Sequence, residues 1–492
     1  MMGGGLAAST LAISLLRARP QTRIAIIEQS EVFPKKVGES TSDVTALFMN
    51  RFGIPEILSK QQRKTGLRFM VHDQETRRMD QASDFSSPSV LSIANGYQLN
   101  RSTFDQALLD EAERLGALIF RPARVTEYHY QAFQSSVSLE CTSGKKTLLA
   151  TWLVDASGRA GLVANKMNWR KQSTTLNTAS SWAHFTNVPM ISKLDNHHSS
   201  EWEQKAIGDR HFATTHFMGE GYWVWTIPLS DDSVSIGIVY DKDILKTEAH
   251  PKDFFFEFLK NHPSLSALTD HSEAKNFRHY PHLPYTSEKY FEPGMILVGD
   301  AAAFVDPLFS PGMELTCQQI LWLAPLITQH LESGKYCEKS WKKYGKVFTR
   351  GFSDRIIIYE SRYQLMGDYE LFALLTQLDF AGYYTYLIHP SAMIPSLLKF
   401  PARFIKPLKI FYRAYKSRLI TLAKRRKELG LTAKGNHGNL SFSYARVPSG
   451  FALLYYGHFL SLLWLGRYLR LELKHLFLPY TQKSPGLLKN ES

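Results

Sequence analysis

The sequence predicts an α/β protein: a Rossmann-like dinucleotide-binding domain lacking its first strand, a β-sheet inserted into it, and a helical C-terminal region. Three observations carry that prediction. A glycine-rich turn at Gly3 runs into a helical stretch and then into a strand-like run that ends in an acid. Around residues 180–240 aromatic and polar side chains alternate, as they do along half-buried strands. From Gln318 onward the apolar spacing becomes mainly helical.

The turn reads Gly3-Gly4-Gly5-Leu6-Ala7-Ala8, with the helical stretch ending near Arg19 and Arg23-Ile24-Ala25-Ile26-Ile27-Glu28 following as a buried parallel strand. Gly3, Gly5 and Ala8 match the Gly-x-Gly-x-x-Gly/Ala pattern. Gly3 allows the tight turn, Gly5 lets backbone approach a pyrophosphate, and Ala8 lets helix and strand pack closely. Glu28 stands where a carboxylate binds a ribose hydroxyl. No strand precedes Gly3, so the unit is expected to begin upstream of Met1. The apolar run Leu6–Leu16 has no charged stretch before it and a strand directly after it, which reads as a cytoplasmic nucleotide-binding start and not as a signal peptide.

Further along, Phe104–Leu115 reads as a helix with an acidic first turn, and Leu148–Asp155 as a strand leading into Asp155-Ala156-Ser157-Gly158-Arg159. Met295-Ile296-Leu297-Val298 is a short apolar strand leading into Gly299-Asp300. A carboxylate at Asp300 can hydrogen-bond the ribityl chain of a flavin, so the glycines, Glu28 and Asp300 together point to FAD. The chain is accordingly divided into a first FAD-binding part (1–170), a β-rich substrate domain (171–285), a return segment (286–335) and a helical basic C-terminal region (336–492).

Composition limits the alternatives. The chain has 492 residues, 58 Lys+Arg against 45 Asp+Glu, and a net charge of +13. The basic excess is concentrated late: Lys399–Lys427 contains no acid. There is no zinc-finger spacing or recognition-helix signature, which argues against nucleic acid as a partner. Three cysteines without CxxC spacing argue against a disulfide framework or a bound metal, and fit a reducing cytoplasm. Phe451–Leu465 is apolar and aromatic but short for a membrane span. It reads either as a buried helix beside a solvated basic neighbour or as a segment lying on a membrane surface.

Three further motifs are similar to those of the flavin-dependent halogenases, within the FAD-dependent aromatic monooxygenase superfamily. Trp223-Val224-Trp225-Thr226-Ile227-Pro228 resembles that family's W-x-W-x-I-P, and Phe304–Gly312 (FVDPLFSPG) its F-x-x-P-x-x-S-x-G. Lys64, five residues before Phe69, stands where family members place their active-site lysine; Lys60, Arg63 and Lys64 also read as a solvated basic turn. The segment Val37-Gly38-Glu39-Ser40-Thr41 resembles the family's V-G-E segment beside the flavin, and Arg101 an arginine that related flavoproteins hold near FAD. The likeness spans roughly the first 330 residues.

The resemblance implies a reaction in which reduced flavin, oxygen and halide give hypohalous acid, and Lys64 delivers the electrophilic halogen to an electron-rich aromatic carbon. It places Gly3, Gly5, Ala8, Glu28, Ser40, Arg101, Asp300, Pro307 and Gly312 at the cofactor, and Trp223, Trp225, Ser310 and Pro311 beside the flavin or the halide. Phe309 stands where tryptophan-type members carry Glu, which turns the expected substrate away from free tryptophan and toward the phenol and pyrrole types, free or carrier-bound. Pro311, Met313 and Glu314 also depart from the pattern. No separate nicotinamide-binding unit is visible, so a partner flavin reductase is expected. A second reading is a monooxygenase that hydroxylates an aromatic group, a protein-bound tryptophan included. A third is an inactive flavoprotein at a membrane surface.

Overall fold

The glycine turn is continued by the helix Leu6–Ala18, whose Leu11, Ala12, Leu15 and Leu16 are buried. Ala8 is wholly buried at the start of that helix, which packs against helices Arg101–Arg114 and Pro311–Ser333. The computed structural model describes residues 1–72, 83–88, 96–191, 211–388, 391, 394–400, 406–431, 461–462 and 464–473.

Beside the helix lies a parallel sheet in which Leu118–Phe120 pairs with Ala25–Ile27, and Leu153–Asp155 with Met295–Leu297. No strand precedes Gly3, as expected, but the chain ahead of it still reaches the sheet. Met2 forms parallel bridges to both Ile27 and Asp155, joining the two halves of the sheet. Its N–H donates to Val154 O at 2.8 Å, and Gly3 N–H donates to Ile27 O at 2.9 Å. Met2 alone thus bridges the two strands on either side of it.

Two other expectations are adjusted. The helix Arg101–Arg114 begins three residues earlier than predicted, capped by Asn100, so its first turn carries no acid and Asp105 sits one turn in. The run Leu148–Asp155 divides between the strands Gly144–Ala150 and Leu153–Asp155 of two different sheets, because the chain leaves one sheet for the other at Thr151-Trp152.

A second sheet has seven strands in the order 273–280, 178–186, 234–241, 222–228, 214–219, 66–71 and 83–88. All neighbours run antiparallel except 214–219 and 66–71. The sheet therefore takes two strands from sequence ahead of residue 170. One face packs Val224, Ile236 and Ile238 against Phe255 and Leu259 of the helix Pro251–Asn261. The other turns Trp182, Trp223 and Trp225 toward the parallel sheet. Period-two alternation along Tyr222–Pro228 thus separates the tryptophans from Val224.

After Pro311 the chain is helical: Pro311–Ser333, Glu338–Tyr359, Tyr369–Tyr383 and Lys406–Glu428. Of the apolar stretch Phe451–Leu465, residues 451–460 and 463 lie outside the described residues. No helix among the described residues is long and apolar enough to cross a membrane.

Candidate active site

A cavity of about 740 Å³ opens between the Gly3 turn and the tryptophan face of the seven-stranded sheet. Gly3, Gly5, Glu28, Ser40, Arg101, Trp223, Trp225, Asp300, Pro307, Ser310, Pro311 and Gly312 all line it. Segments from across 310 residues of sequence converge there because the carboxyl ends of the parallel strands point at it, which is where open α/β sheets bind ligands. Ala8 does not line it; its place is in the packing behind the turn.

The residues present fit an FAD. Gly3 has φ +98°, and a Cβ on it would lie 2.5 Å from Ala156 O, so only glycine closes this turn. Gly5 caps the helix Leu6–Ala18 without a side-chain cap, leaving the first helical N–H groups to meet a pyrophosphate. Glu28 accepts from Gly4 N–H at 2.7 Å and Ser30 N–H at 2.8 Å, so it fixes the turn and presents only its remaining lone pairs to a ribose. Burial pushes the Asp300 carboxyl up, while Arg159, Arg101, Lys36 and Arg170 draw it back down.

Arg101 does not act alone. It donates to both carboxylate oxygens of Asp105 at 2.9 and 3.0 Å, and through Nη1 to Val37 O and Gly38 O at 3.2 Å. Lys36 meets the same carboxylate at 2.6 Å. Burial alone would raise Asp105, but the two cations outweigh it and hold the carboxyl below its usual range. One ion cluster therefore holds the Val37–Gly38 segment against the helix Arg101–Arg114.

Lys64 is buried, with 2% of its surface exposed, so the solvated-turn alternative does not hold. It does not line the cavity. Its Nζ donates to Ser40 Oγ and to Thr41 O, both at 2.9 Å, and Ser40 Oγ lies 2.9 Å from Thr214 Oγ1. Ser40 and Thr214 do line the cavity, so the ammonium stands one hydroxyl behind its wall. Burial lowers the Lys64 pKa to about 8, against the opposing pull of Asp43.

At the far wall, Phe309 and Ser310 both take left-handed backbone, φ +67° and +57°, which non-glycine residues adopt at a cost. They turn the chain into the helix Pro311–Ser333, whose N-terminus borders the cavity. A Cβ on Gly312 would meet nothing within 4 Å, so packing alone does not demand glycine there.

The profile of the tryptophan halogenase family matches residues 1–79 and 59–358. The chain belongs to that family. It is 24% identical over 374 residues to the 1H-pyrrole-2-carbonyl-[peptidyl-carrier protein] chlorinase of Pseudomonas fluorescens Pf-5, covering 72% of this chain and 80% of that one. It is 29% identical over 365 residues to flavin-dependent halogenase chlA of Dictyostelium discoideum, covering 66% of this chain and 59% of the relative. Among solved structures, halogenase PltM in complex with phloroglucinol and FAD superposes with a TM-score of 0.75 at 18% identity, over 95% of both chains. Membership makes this protein an FAD-dependent oxidoreductase of the halogenase class.

Three features of this family member escaped the motif reading. Asp306, inside the quoted motif, accepts from Leu308 N–H at 2.9 Å and from the Tyr363 hydroxyl at 2.7 Å, and burial pushes its carboxyl up to about 6. Tyr363 in turn accepts from Trp223 Nε1 at 3.1 Å. Glu39 and His184 form a buried 2.7 Å pair beside the cavity. His216, stacked on Phe69 at 4.6 Å, is held neutral by burial, which lowers its pKa to about 3. Asp306 and Glu39 were visible as acids within motifs; their partners lie on distant elements that no spacing rule connects.

Proposed function

We infer that this protein halogenates an electron-rich aromatic ring of phenol or pyrrole type, free or attached to a carrier protein, with flavin reduced by a separate reductase. The observation that carries the reading is Lys64: a desolvated amine with a pKa near 8, one hydroxyl away from the flavin cavity. Two relatives support the substrate class. One is named for a pyrrole carried on a peptidyl carrier protein, and the other holds phloroglucinol, an electron-rich phenol.

FAD, when bound and reduced, supplies the electrons that activate oxygen to oxidise halide. The chain supplies the rest. Gly3, Gly5 and Arg101 would hold the pyrophosphate and its neighbours, and Asp300 the ribityl hydroxyls. Trp223 and Trp225 wall the cavity and exclude water. Backbone N–H groups at Gly312 and Met313, at a helix start, are suited to a halide.

With a pKa near 8, about a tenth of Lys64 is neutral amine at pH 7. The neutral Nζ takes the halogen from hypohalous acid, with loss of water. The ring carbon then takes the halogen from nitrogen, and the proton lost by the ring balances the one regained by the amine. The ammonium form serves instead by hydrogen-bonding hypohalous acid toward the ring.

The test is product formation on a phenol and pyrrole panel, with FAD, a flavin reductase and oxygen, with and without bromide. Halogenated products that disappear in Lys64→Ala are expected. Hydroxylated products regardless of bromide would move the protein to the monooxygenases.

A further inference from the structure

The helical C-terminal region has an apolar face that the catalytic reading does not use. Residues 461–462 and 464–473 are helical and carry exposed leucines at regular spacing: Leu462 is 69% exposed, Leu465 43%, Leu469 53% and Leu473 58%. Steps of three, four and four place them on one side of a helix. The opposite side is already occupied. Trp464 and Leu471 are buried, and Trp464 Nε1 donates to Tyr415 Oη at 2.8 Å. The element thus has two apolar faces, one turned to the protein and one to solvent.

The helix Lys406–Glu428 packs against the buried side of this element. There Phe411 meets the Trp464 ring at 5.9 Å, and Ile410 beside it is exposed. Lys406–Glu428 contains nine Lys and Arg residues and a single acid, Glu428. Its exposed side carries Lys406, Arg413 and Lys424, while Arg470 flanks the leucines on the neighbouring helix.

We propose that this face docks on an anionic bilayer surface. The leucines enter the headgroup–acyl boundary, and the neighbouring cations meet lipid phosphates, which is the chemistry of an interfacial amphipathic helix. Charge decides between the occupants. A second copy of the chain would bring the same excess of cations to the face, whereas an anionic membrane neutralises it. The inference goes beyond the halogenase reading and stands independently of the substrate.

The full-length protein is tested by co-sedimentation with vesicles of phosphatidylcholine alone and with about one third phosphatidylglycerol. Pelleting with the anionic vesicles only, weakened by salt, is expected. The double variant Leu465→Ser/Leu469→Ser is expected to weaken vesicle binding about tenfold or more while FAD content stays unchanged. Lys406→Glu/Lys424→Glu tests the charge independently and is expected to weaken binding to the anionic vesicles. No pelleting, or pelleting insensitive to the leucine variant, overturns the proposal. So does a dimer, seen in sedimentation velocity, that the leucine variant dissociates, since the face would then join two copies.

Discussion

The hydroxyl of Tyr363 donates to Oδ2 of Asp306 over 2.7 Å, and both side chains are buried. Because Tyr363 also accepts from Trp223 at 3.1 Å, it ties the W-x-W-x-I-P strand to the F-x-x-P-x-x-S-x-G loop from a helical region beyond both. Tyr363→Phe leaves an acid and an indole N–H buried without that partner. It is expected to cost about 2–4 kcal/mol of stability in chemical denaturation, two buried groups at roughly 1–3 kcal/mol each with partial relaxation. The flavin spectrum should shift too, since Trp223 loses its anchor at the cavity wall.

Lys64→Ala is expected to abolish halogenation while leaving FAD binding near wild type, because Lys64 lies behind Ser40 and outside the cavity lining. Lys64→Arg should fail to rescue: a guanidinium stays protonated at every working pH and cannot act as a neutral amine. FAD titration beside product analysis separates the two properties.

The same burial gives a stability signature. The folded value near 8 lies below that of an unfolded lysine, about 10.4. Between those values the unfolded chain holds a proton that the folded chain has released, so this group makes stability rise with pH across that window. Below pH 8 the buried ammonium costs roughly 3 kcal/mol. Lys64→Met is therefore expected to melt above wild type at pH 7, by a margin that closes as the pH approaches 10. Calorimetry of the two proteins across that range checks it.

Halogen transfer through the neutral amine predicts a rate that rises from pH 6 and levels off above about 8. Single-turnover measurements with hypohalous acid generated in place are the appropriate readout. A flat profile would favour transfer by the ammonium form.

Two glycines distinguish packing from binding. Gly3→Ala places a Cβ 2.5 Å from Ala156 O at φ +98° and is expected to lower both the melting temperature and the FAD content. Gly312→Ala meets no protein atom within 4 Å, so its melting temperature should hold in the absence of ligand. Any weakening of FAD or halide affinity in that variant then reports the bound group itself.

The sequence by itself determined what short-range chemistry dictates. The glycine turn is legible because only glycine tolerates the backbone at Gly3, and the Trp223–Trp225 alternation because a pleated strand repeats every two residues. The cofactor class followed, since those local units carry it. The tertiary structure decided which surfaces those units face. The strands 66–71 and 83–88 join the inserted sheet because alternation marks a strand without naming its neighbour. Lys64 reads equally well as a surface cation until the sheet buries it, and burial is what sets its pKa. Asp306 and Tyr363 are 57 residues apart, and Trp223 and Tyr363 140 apart. Contacts of that separation form only when the whole core packs, because hydrogen-bond partners are chosen by proximity in space and not by spacing along the chain.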